Sequence, residues 1–413
     1  MSILNNDDQL IAETQVYAKK WCFLFHEFSY WLLYHCHQKN IKKLFFFTRE
    51  GAFFIELVKA LQKRFNLFPD IECHLLSVSR IATFLPSVDM DLENPFQRLW
   101  NIYPHQSPQV FFKSLDIEDK SLKNIYQQEY GKNFDSKISN IGTNPSFKLY
   151  LKNKHVNSII RKSITAKREL LKAYLKQSDF LNDTTIGVVD IGWRGSIQDN
   201  LSLIFPEHTL YGFYLGLHRF REKLIPANSF KQAFLFNANT GGFIQPLTSL
   251  MRFVLPLEML CTPVLGSVKR YKLDENHQVL PETQHYKSEK TILEKIVDTF
   301  QQSVLKDVWS YPLNDQFKFR KCKKIARQII WKPQAFQLFV YHNQIFDEEF
   351  GLGNEMQVYL DDVKYKTAWI KSLKESAWIS GYFYNKLPRS LFRALPIFYL
   401  LYSLVTFDNY LLR

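Results

Sequence analysis

The chain has 413 residues, of which 46% are hydrophobic and 23% are charged, a balance that excludes a disordered chain. Its 14 glycines and 16 prolines exclude collagen-like and low-complexity classes. With 53 Lys and Arg against 40 Asp and Glu, the net charge is +13, and a basic surface of this kind favours an anionic partner.

The five cysteines are scattered along the chain without a Cys-x-x-Cys pair, so the sequence predicts neither a disulfide framework nor a zinc site. Unpaired cysteines fit a reducing compartment. The first residues lack the apolar run of a secretory signal. The longest apolar stretch, 394–407, has 14 residues, whereas roughly 20 are needed to span a bilayer. We therefore expect a cytoplasmic protein without a membrane-spanning helix.

The first third of the chain predicts a strand–turn–helix unit. Apolar and aromatic residues at helical spacing predict a helix over 14–39. The apolar run 42–48 predicts a buried strand, and 52–65 predicts the helix that follows it. A second strand is expected over 72–79, ending at Arg80. Residues 86–150 are irregular and contain scattered Pro, Asn and Ser, which indicates an insertion of short helices.

The middle of the chain repeats this alternation. A basic helix is predicted over 155–176, and the run TTIGVVD at 184–190 is the clearest buried strand. The turn 191–195 follows, and a helix is expected to begin at Ser196, a residue that often caps helices. Further strands are predicted over 209–217 and 232–236.

Strands that alternate with helices predict an α/β fold with a Rossmann-like, mainly parallel sheet. We expect a first Rossmann-like half with its helical insertion over 1–150. A second half over 151–285 includes a hairpin near residues 267–280, and a mostly helical region covers 286–413. In such sheets, ligands bind beyond the carboxyl ends of the strands, where the strand order reverses.

Two predicted strand ends carry polar residues that are followed by glycine and a helix. The first is Thr-Arg-Glu-Gly at 48–51, and the second runs from Asp190 to Gly195. A carboxylate at such a position can act as a nucleophile, a base or a metal ligand, or it can only stabilise the turn. The strand–turn context of Asp190 leaves these alternatives open. Likewise, Arg49 and Glu50 can serve chemistry or form an ion pair that only orders the loop.

Three arginines at or near strand ends favour an anionic substrate, because a guanidinium binds phosphate or carboxylate in a bidentate way. They are Arg49, Arg80 and Arg194, and for Arg194 the alternative is an ordinary surface position. The triplet Asp89-Met90-Asp91 has the form of a divalent metal site, but no clear strand precedes it, and we expect no metal there. Neither of the two common glycine-rich nucleotide-binding motifs is present.

Two segments near the C-terminus are basic. The stretch 318–332 carries seven basic residues and no acid, which is typical of a solvated helix face or of a patch for phosphate groups or acidic lipid. In 386–413, basic residues flank an aromatic, apolar run. This pattern predicts either an interfacial helix or a helix packed in the core.

The stretches FFFTREGAFF, LLSVSR, VVDIGWRGSIQDNL and LEMLCTPVLGSVKRYKLDENHQVLPE resemble a bacterial surface-polysaccharide biosynthesis family. One form of that family is the domain that follows a haloacid-dehalogenase-like domain, with an SRDG-like turn and a D-x-G-W-x-G-x-x-Q turn. The chain also resembles the retaining β-Kdo glycosyltransferases, which are two-domain Rossmann-like enzymes that use CMP-activated Kdo. The likeness covers about residues 40–350. The first turn here is T-R-E-G, with Glu where many relatives have Asp.

The resemblance implies a retaining glycosyltransferase of capsule or lipopolysaccharide biosynthesis. It implies that Asp190 attacks the anomeric carbon, and that Arg49 and Glu50 serve the donor carboxylate and the acid–base step. Together with the strand-end arguments, it predicts these donor-binding residues: Arg49, Gly51, Arg80, Gly192, Trp193, Arg194, Gly195 and Gln198.

The same reasoning predicts the partners of the protein. The expected donor is a nucleotide-sugar, with CMP-Kdo as the first candidate, and the expected acceptor is a glycan or glycolipid. No cofactor or metal is expected, because arginines and helix N-termini can neutralise a leaving phosphate. The location implied is the cytoplasmic face of the inner membrane, with peripheral attachment.

Two other classes of function stay open. A non-catalytic protein would bind acidic glycan or nucleic acid through its basic surface. Nucleic acid is not the expected partner, because the basic runs are separated by long apolar stretches. A polysaccharide-linked hydrolase would release free sugar from the donor without any acceptor.

Overall fold

A computed structural model describes residues 6–220, 226–240, 251–262, 266–283, 291–343, 346–347, 355–356, 378–384 and 386–410. The predicted α/β class and the helical C-terminal region are confirmed. Helix α1 (Asn6–Gln38) begins at Asn6 rather than at residue 14. The domain boundary predicted at 285/286 lies outside the described residues.

Five parallel strands form one sheet in the order β2-β1-β3-β4-β5. Phe46 pairs with Leu75 on one side and with Val189 on the other, so the strand order reverses between β1 and β3. The strands of both predicted halves therefore belong to a single sheet. They are β1 (Lys43–Phe47), β2 (Glu72–Leu76), β3 (Thr185–Asp190), β4 (Thr209–Leu217) and β5 (Ser229–Asn237).

Both faces of the sheet are covered, which explains why the strands are continuously apolar. Alternate residues of β1 point to opposite faces. Leu44 and Phe46 pack in one apolar cluster with α1 and α2 (Gly51–Phe65). Phe45 and Phe47 pack in another cluster on the opposite face. That face is covered by α8 (Lys154–Gln177), α9 (Ser196–Ile204) and the antiparallel hairpin of β6 (Val268–Leu273) and β7 (Val279–Thr283).

The segment between β2 and α8 is the predicted insertion of short helices. It has an apolar core of its own, in which Phe111 contacts Phe96 and Phe147 in edge-to-face geometry. Its helices are α3 (Arg80–Phe84), α4 (Gln97–Trp100), α5 (Pro108–Ser114), α6 (Lys120–Tyr130) and α7 (Pro145–Lys152).

The C-terminal helices pack against α1. Trp21 of α1 lies 6.2 Å from Phe300 and 5.9 Å from Phe336, measured between ring centroids, so the two ends of the described chain share one core. A short strand pair, β8 (Phe346–Asp347) and β9 (Glu355–Met356), interrupts the series of C-terminal helices in the sequence. The helices are α10 (Leu255–Cys261), α11 (Ile292–Asp307), α12 (Phe319–Trp331), α13 (Ala335–Asn343), α14 (Ile379–Phe383) and α15 (Arg389–Tyr410).

Helix α15 has a packed side and an exposed side. Leu395 and Tyr399 are buried, and the Tyr399 ring lies 5.8 Å from that of Trp331. Ile397 and Phe398 are exposed. The core packing is therefore present, and the interfacial role stays a prediction for the exposed side. Among the described residues, no helix is both long and apolar enough to cross a membrane.

The turn after β3 depends on a close approach between two backbones. Gly192 has φ +145°, and a Cβ atom at this position would lie 2.4 Å from the carbonyl oxygen of Gly216 in β4. Since a backbone oxygen cannot swing aside as a side chain can, only glycine fits without moving a strand.

Gly192→Ala should lower the free energy of unfolding more than Gly131→Ala does. Gly131 also has a positive φ, +60°, but an added Cβ would meet nothing within 4 Å, so alanine there costs about 1–2 kcal/mol of backbone strain alone. The steric clash at Gly192 should add about 1–3 kcal/mol. Urea unfolding of the two purified variants measures the difference, and equal losses would contradict the close approach.

Candidate active site

The two polar turns that the sequence singles out lie side by side. Glu50 follows β1, and Asp190 is the last residue of β3, the strand paired with β1. Because the strand order reverses between these strands, the two side chains stand at the topological switch point, the position where such sheets commonly bind ligands. Each turn contains one cis peptide bond, Thr48–Arg49 and Gly192–Trp193.

A third carboxylate joins them. Glu258 of α10 reaches the same edge of the sheet, and one nitrogen of Arg49 lies between two of the carboxylates. Arg49 Nη2 donates to Glu258 Oε1 at 3.3 Å and lies 3.4 Å from Glu50 Oε1. Glu50, Asp190 and Glu258 are called the carboxylate cluster below.

Neutral donors hold the two glutamates in place. The Thr262 hydroxyl lies 2.6 Å from Glu50 Oε1, to which it donates. The indole Nε1 of Trp193 donates to Glu258 Oε2 at 3.1 Å. Trp193, predicted to shape a donor pocket, thus orients a carboxylate.

Asp190 and Glu258 bind protons more tightly than free carboxyl groups do. Burial and the charges of Glu50 and Glu258 raise the pKa of Asp190 well above its usual value, against the opposing effects of the Ile191 N–H and Arg49. Burial and Glu50 raise the pKa of Glu258, while Arg49, the Trp193 hydrogen bond and Arg80 oppose the rise. Raised pKa values of this kind are common where carboxyl groups act as acids, bases or nucleophiles.

The predicted arginines lie around this edge in different settings. Arg49 contacts the cluster directly, as described above. Arg80 is exposed at the start of α3, and its charge acts on Glu258. Arg194 is half-buried and acts on His218 at the end of β4. Burial, Arg194 and Arg252 lower the pKa of His218 to about 4, so this imidazole is neutral at pH 7 beside positive charge.

Lys231 of β5 holds the residues that follow Asp190 in place through two hydrogen bonds. Lys231 Nζ donates to the Arg194 carbonyl at 3.1 Å and to Asp199 Oδ2 at 2.5 Å. Gly195 precedes α9 with φ +67°, and a Cβ atom there would lie 2.7 Å from the Tyr214 hydroxyl. Gly51, at the other turn, begins α2 and packs against Phe46.

Gln198 is fully buried, and its carboxamide is fully hydrogen-bonded within the protein. Its Nε2 donates to the carbonyls of Leu210 at 2.9 Å and Phe230 at 3.0 Å, and its Oε1 accepts from the Tyr214 hydroxyl at 2.7 Å. The carboxamide thus ties α9 to β4 and β5. This arrangement favours a structural role for Gln198 over the predicted donor contact.

Sequence reasoning missed Glu258, Thr262 and His218. A signal existed for Glu258, because it is the single acid within the apolar segment from Leu255 to Cys261. An isolated acid in a buried helix needs a partner or a function.

The described residues contain no group of three His, Cys, Asp or Glu side chains arranged to hold a metal ion. The Asp89-Met90-Asp91 triplet lies in a loop, where Asp89 Oδ1 accepts from the Asp91 backbone N–H at 2.9 Å. Asp91 pairs with Arg161 at 2.7 Å.

The sequence matches no model of a known protein family, and a search of curated proteins finds no match.

Asp190→Asn should stabilise the fold at high pH. A carboxyl group whose pKa is raised by folding contributes stability that is fully present below its unfolded pKa, roughly 3.9, and lost as the pH rises through the folded pKa. Asparagine cannot ionise, so the variant escapes that loss. In thermal unfolding at pH 8, Asp190→Asn should have a higher Tm than wild type, and this difference in Tm should shrink toward pH 5. A difference that does not depend on pH would contradict the buried-charge account.

Proposed function

We propose that this chain is a retaining glycosyltransferase of bacterial surface-polysaccharide biosynthesis, with a nucleotide-activated sugar as donor and CMP-Kdo as the first candidate. The observation that carries the proposal is the carboxylate cluster at the switch point of a parallel sheet, with Asp190 at the end of β3. The resemblance of the strand-end motifs to the β-Kdo transferases supplies the reaction class.

The proposed reaction has two displacements. A carboxylate oxygen of Asp190 attacks the anomeric carbon, and the bond to the leaving phosphate breaks, so that the nucleotide departs with the electron pair. An acceptor hydroxyl then attacks the same carbon, its proton passes to a carboxylate, and the bond to Asp190 breaks. Two inversions give net retention. The resemblance alone points to Glu50 as this carboxylate.

The charge distribution supports an activated, anionic donor. Arg49, Arg80 and Arg194 lie around the same edge, where they favour a phosphate or carboxylate. Their positive charge compensates the leaving group without a metal.

The alternative functions fit the cluster less well. A protein that only binds acidic glycan gains nothing from three clustered carboxylates, which repel such a ligand at contact. A hydrolase would use the same two displacements with water as acceptor. Release of free sugar in the absence of acceptor would favour that second candidate.

Wild-type protein given donor without acceptor should gain the mass of one sugar, on the peptide that contains Asp190. We expect this result from one member of a panel of CMP-, UDP-, GDP- and dTDP-sugars, read by intact mass and released nucleotide. Asp190→Asn should gain no mass at that peptide and lose transfer, because an amide is a far poorer nucleophile. Near-normal turnover by Asp190→Asn would refute the nucleophile role.

The pH dependence of the sugar-transfer rate gives a further test of Asp190 as the nucleophile. A nucleophile must be ionised, so the rate should rise with pH through a range above that of ordinary carboxyl groups, since the pKa of Asp190 is raised. A rate that falls through this range would instead identify Asp190 as an acid.

For the location of the protein, we propose peripheral attachment to the inner membrane through the exposed side of α15. Ile397 and Phe398 are 62% and 55% exposed, next to the exposed basic residues Arg389 and Arg393. An apolar helix side flanked by basic residues suits a membrane surface with anionic lipids.

The double substitution Ile397→Ser and Phe398→Ser should weaken binding to vesicles of phosphatidylethanolamine and phosphatidylglycerol at least about tenfold, given about 1.5–3 kcal/mol for each buried apolar side chain. Leu149→Ser is the matched control, because Leu149 is 61% exposed on α7, outside the proposed surface. Vesicle flotation measures both variants. Equal binding by the double variant and the wild type would exclude this attachment.

A further inference from the structure

The second displacement needs a group that takes the proton from the acceptor hydroxyl, and the carboxylate cluster offers two glutamates for it. The two glutamate side chains differ in solvent exposure. The Glu50 side chain is 4% exposed, whereas that of Glu258 is 27% exposed. A proton acceptor must come within hydrogen-bond distance of the incoming hydroxyl. Only Glu258 of these two presents substantial surface to an acceptor.

The hydrogen bonds leave Glu258 able to accept a further donor. Glu50 Oε1 accepts the short hydrogen bond from Thr262, at the buried start of α2. The Glu258 oxygens each accept one N–H, from Arg49 and Trp193. A carboxylate oxygen has two lone pairs, so both oxygens of Glu258 keep capacity for another donor.

We propose that Glu258, and not Glu50, is the catalytic base of the second displacement, an inference that rests on the proposed glycosyl transfer. The acceptor oxygen forms its bond to the anomeric carbon while the ester bond to Asp190 breaks. The hydroxyl proton moves to an oxygen of Glu258, and the electron pair of the broken bond returns to the Asp190 carboxylate. The proton later leaves Glu258 to solvent.

The electrostatics of the cluster fit this order of events. Burial and Glu50 raise the pKa of Glu258, which brings it nearer to neutral pH, where a general base is most effective. Glu258 and Asp190 repel each other when both are ionised. Once Asp190 carries the sugar, its negative charge is gone, which favours the ionised form of Glu258. The first displacement therefore prepares the base for the second.

Trp193 is then a positioning residue. Its indole N–H fixes Glu258 Oε2 and favours the ionised carboxylate. Trp193→Phe removes this donor and keeps an aromatic ring. The variant should move the rising part of the pH profile of sugar transfer to higher pH, which a purely structural loss would not do.

The test uses Glu258→Gln in the full chain, with the donor panel described above. The first displacement releases a phosphate, which leaves without help from a base, so the variant should still form the covalent adduct. Transfer to acceptor should fall by about 10²–10⁴-fold. Intact mass should then show the adduct accumulating on Asp190, with one equivalent of nucleotide released rapidly. Azide, a nucleophile without a proton to lose, should release the sugar.

Two further glutamine variants serve as comparisons. Glu56→Gln changes an exposed acid of α2 away from the cluster and should match wild type. Glu50→Gln should slow adduct formation and transfer together, without accumulation. Accumulation in Glu50→Gln instead of Glu258→Gln, or wild-type transfer by Glu258→Gln, would overturn the assignment while leaving the transferase proposal intact. If wild type itself forms no adduct and releases no nucleotide with any donor, both proposals fail.

Discussion

Parallel pairing between β1 and β3 brings residues 50 and 190 to one edge of the sheet, and the candidate site depends on that pairing. A buried carboxylate costs several kcal/mol unless it is paired or protonated. Here Arg49 contacts two of the three carboxylates and acts on the third, Asp190, through its charge. The apolar layers on both faces of the sheet offset this cost, so the rest of the fold supports a locally unfavourable arrangement. Such arrangements are typical of functional sites.

Much of the sheet could be predicted from the sequence, because strands buried on both faces are continuously apolar and end at polar turns. The run before Thr48 and the run before Ile191 are of this kind. The place of Glu258 in the site could not be predicted in the same way. Its local segment predicts a buried helix, but its partner Arg49 lies 209 positions away in the sequence. The contacts of Gln198 likewise depend on carbonyls of β4 and β5, which no local pattern reveals.

A net charge of +13 and an acidic site coexist in this chain. The buried face of α12 is apolar, and its exposed face carries Arg320, Lys321, Lys323 and Lys324. Positive potential at a distance attracts anions, whereas the carboxylate cluster repels them at contact. Under the proposed function, a donor with a negative leaving group should bind with that group toward the arginines and its sugar toward the carboxylates.

Helix α1 has a consequence for synthesis of the protein on the ribosome. Trp21 contacts Phe300 and Phe336, and His26 Nδ1 lies 2.7 Å from the carbonyl oxygen of Val308, 282 positions later. Translation at about 5–20 residues per second needs on the order of 15–60 s to make those partners. During that time the aromatic side of α1 has emerged without its final packing. We expect nascent chains to need a chaperone bound to this helix until the C-terminal helices are complete.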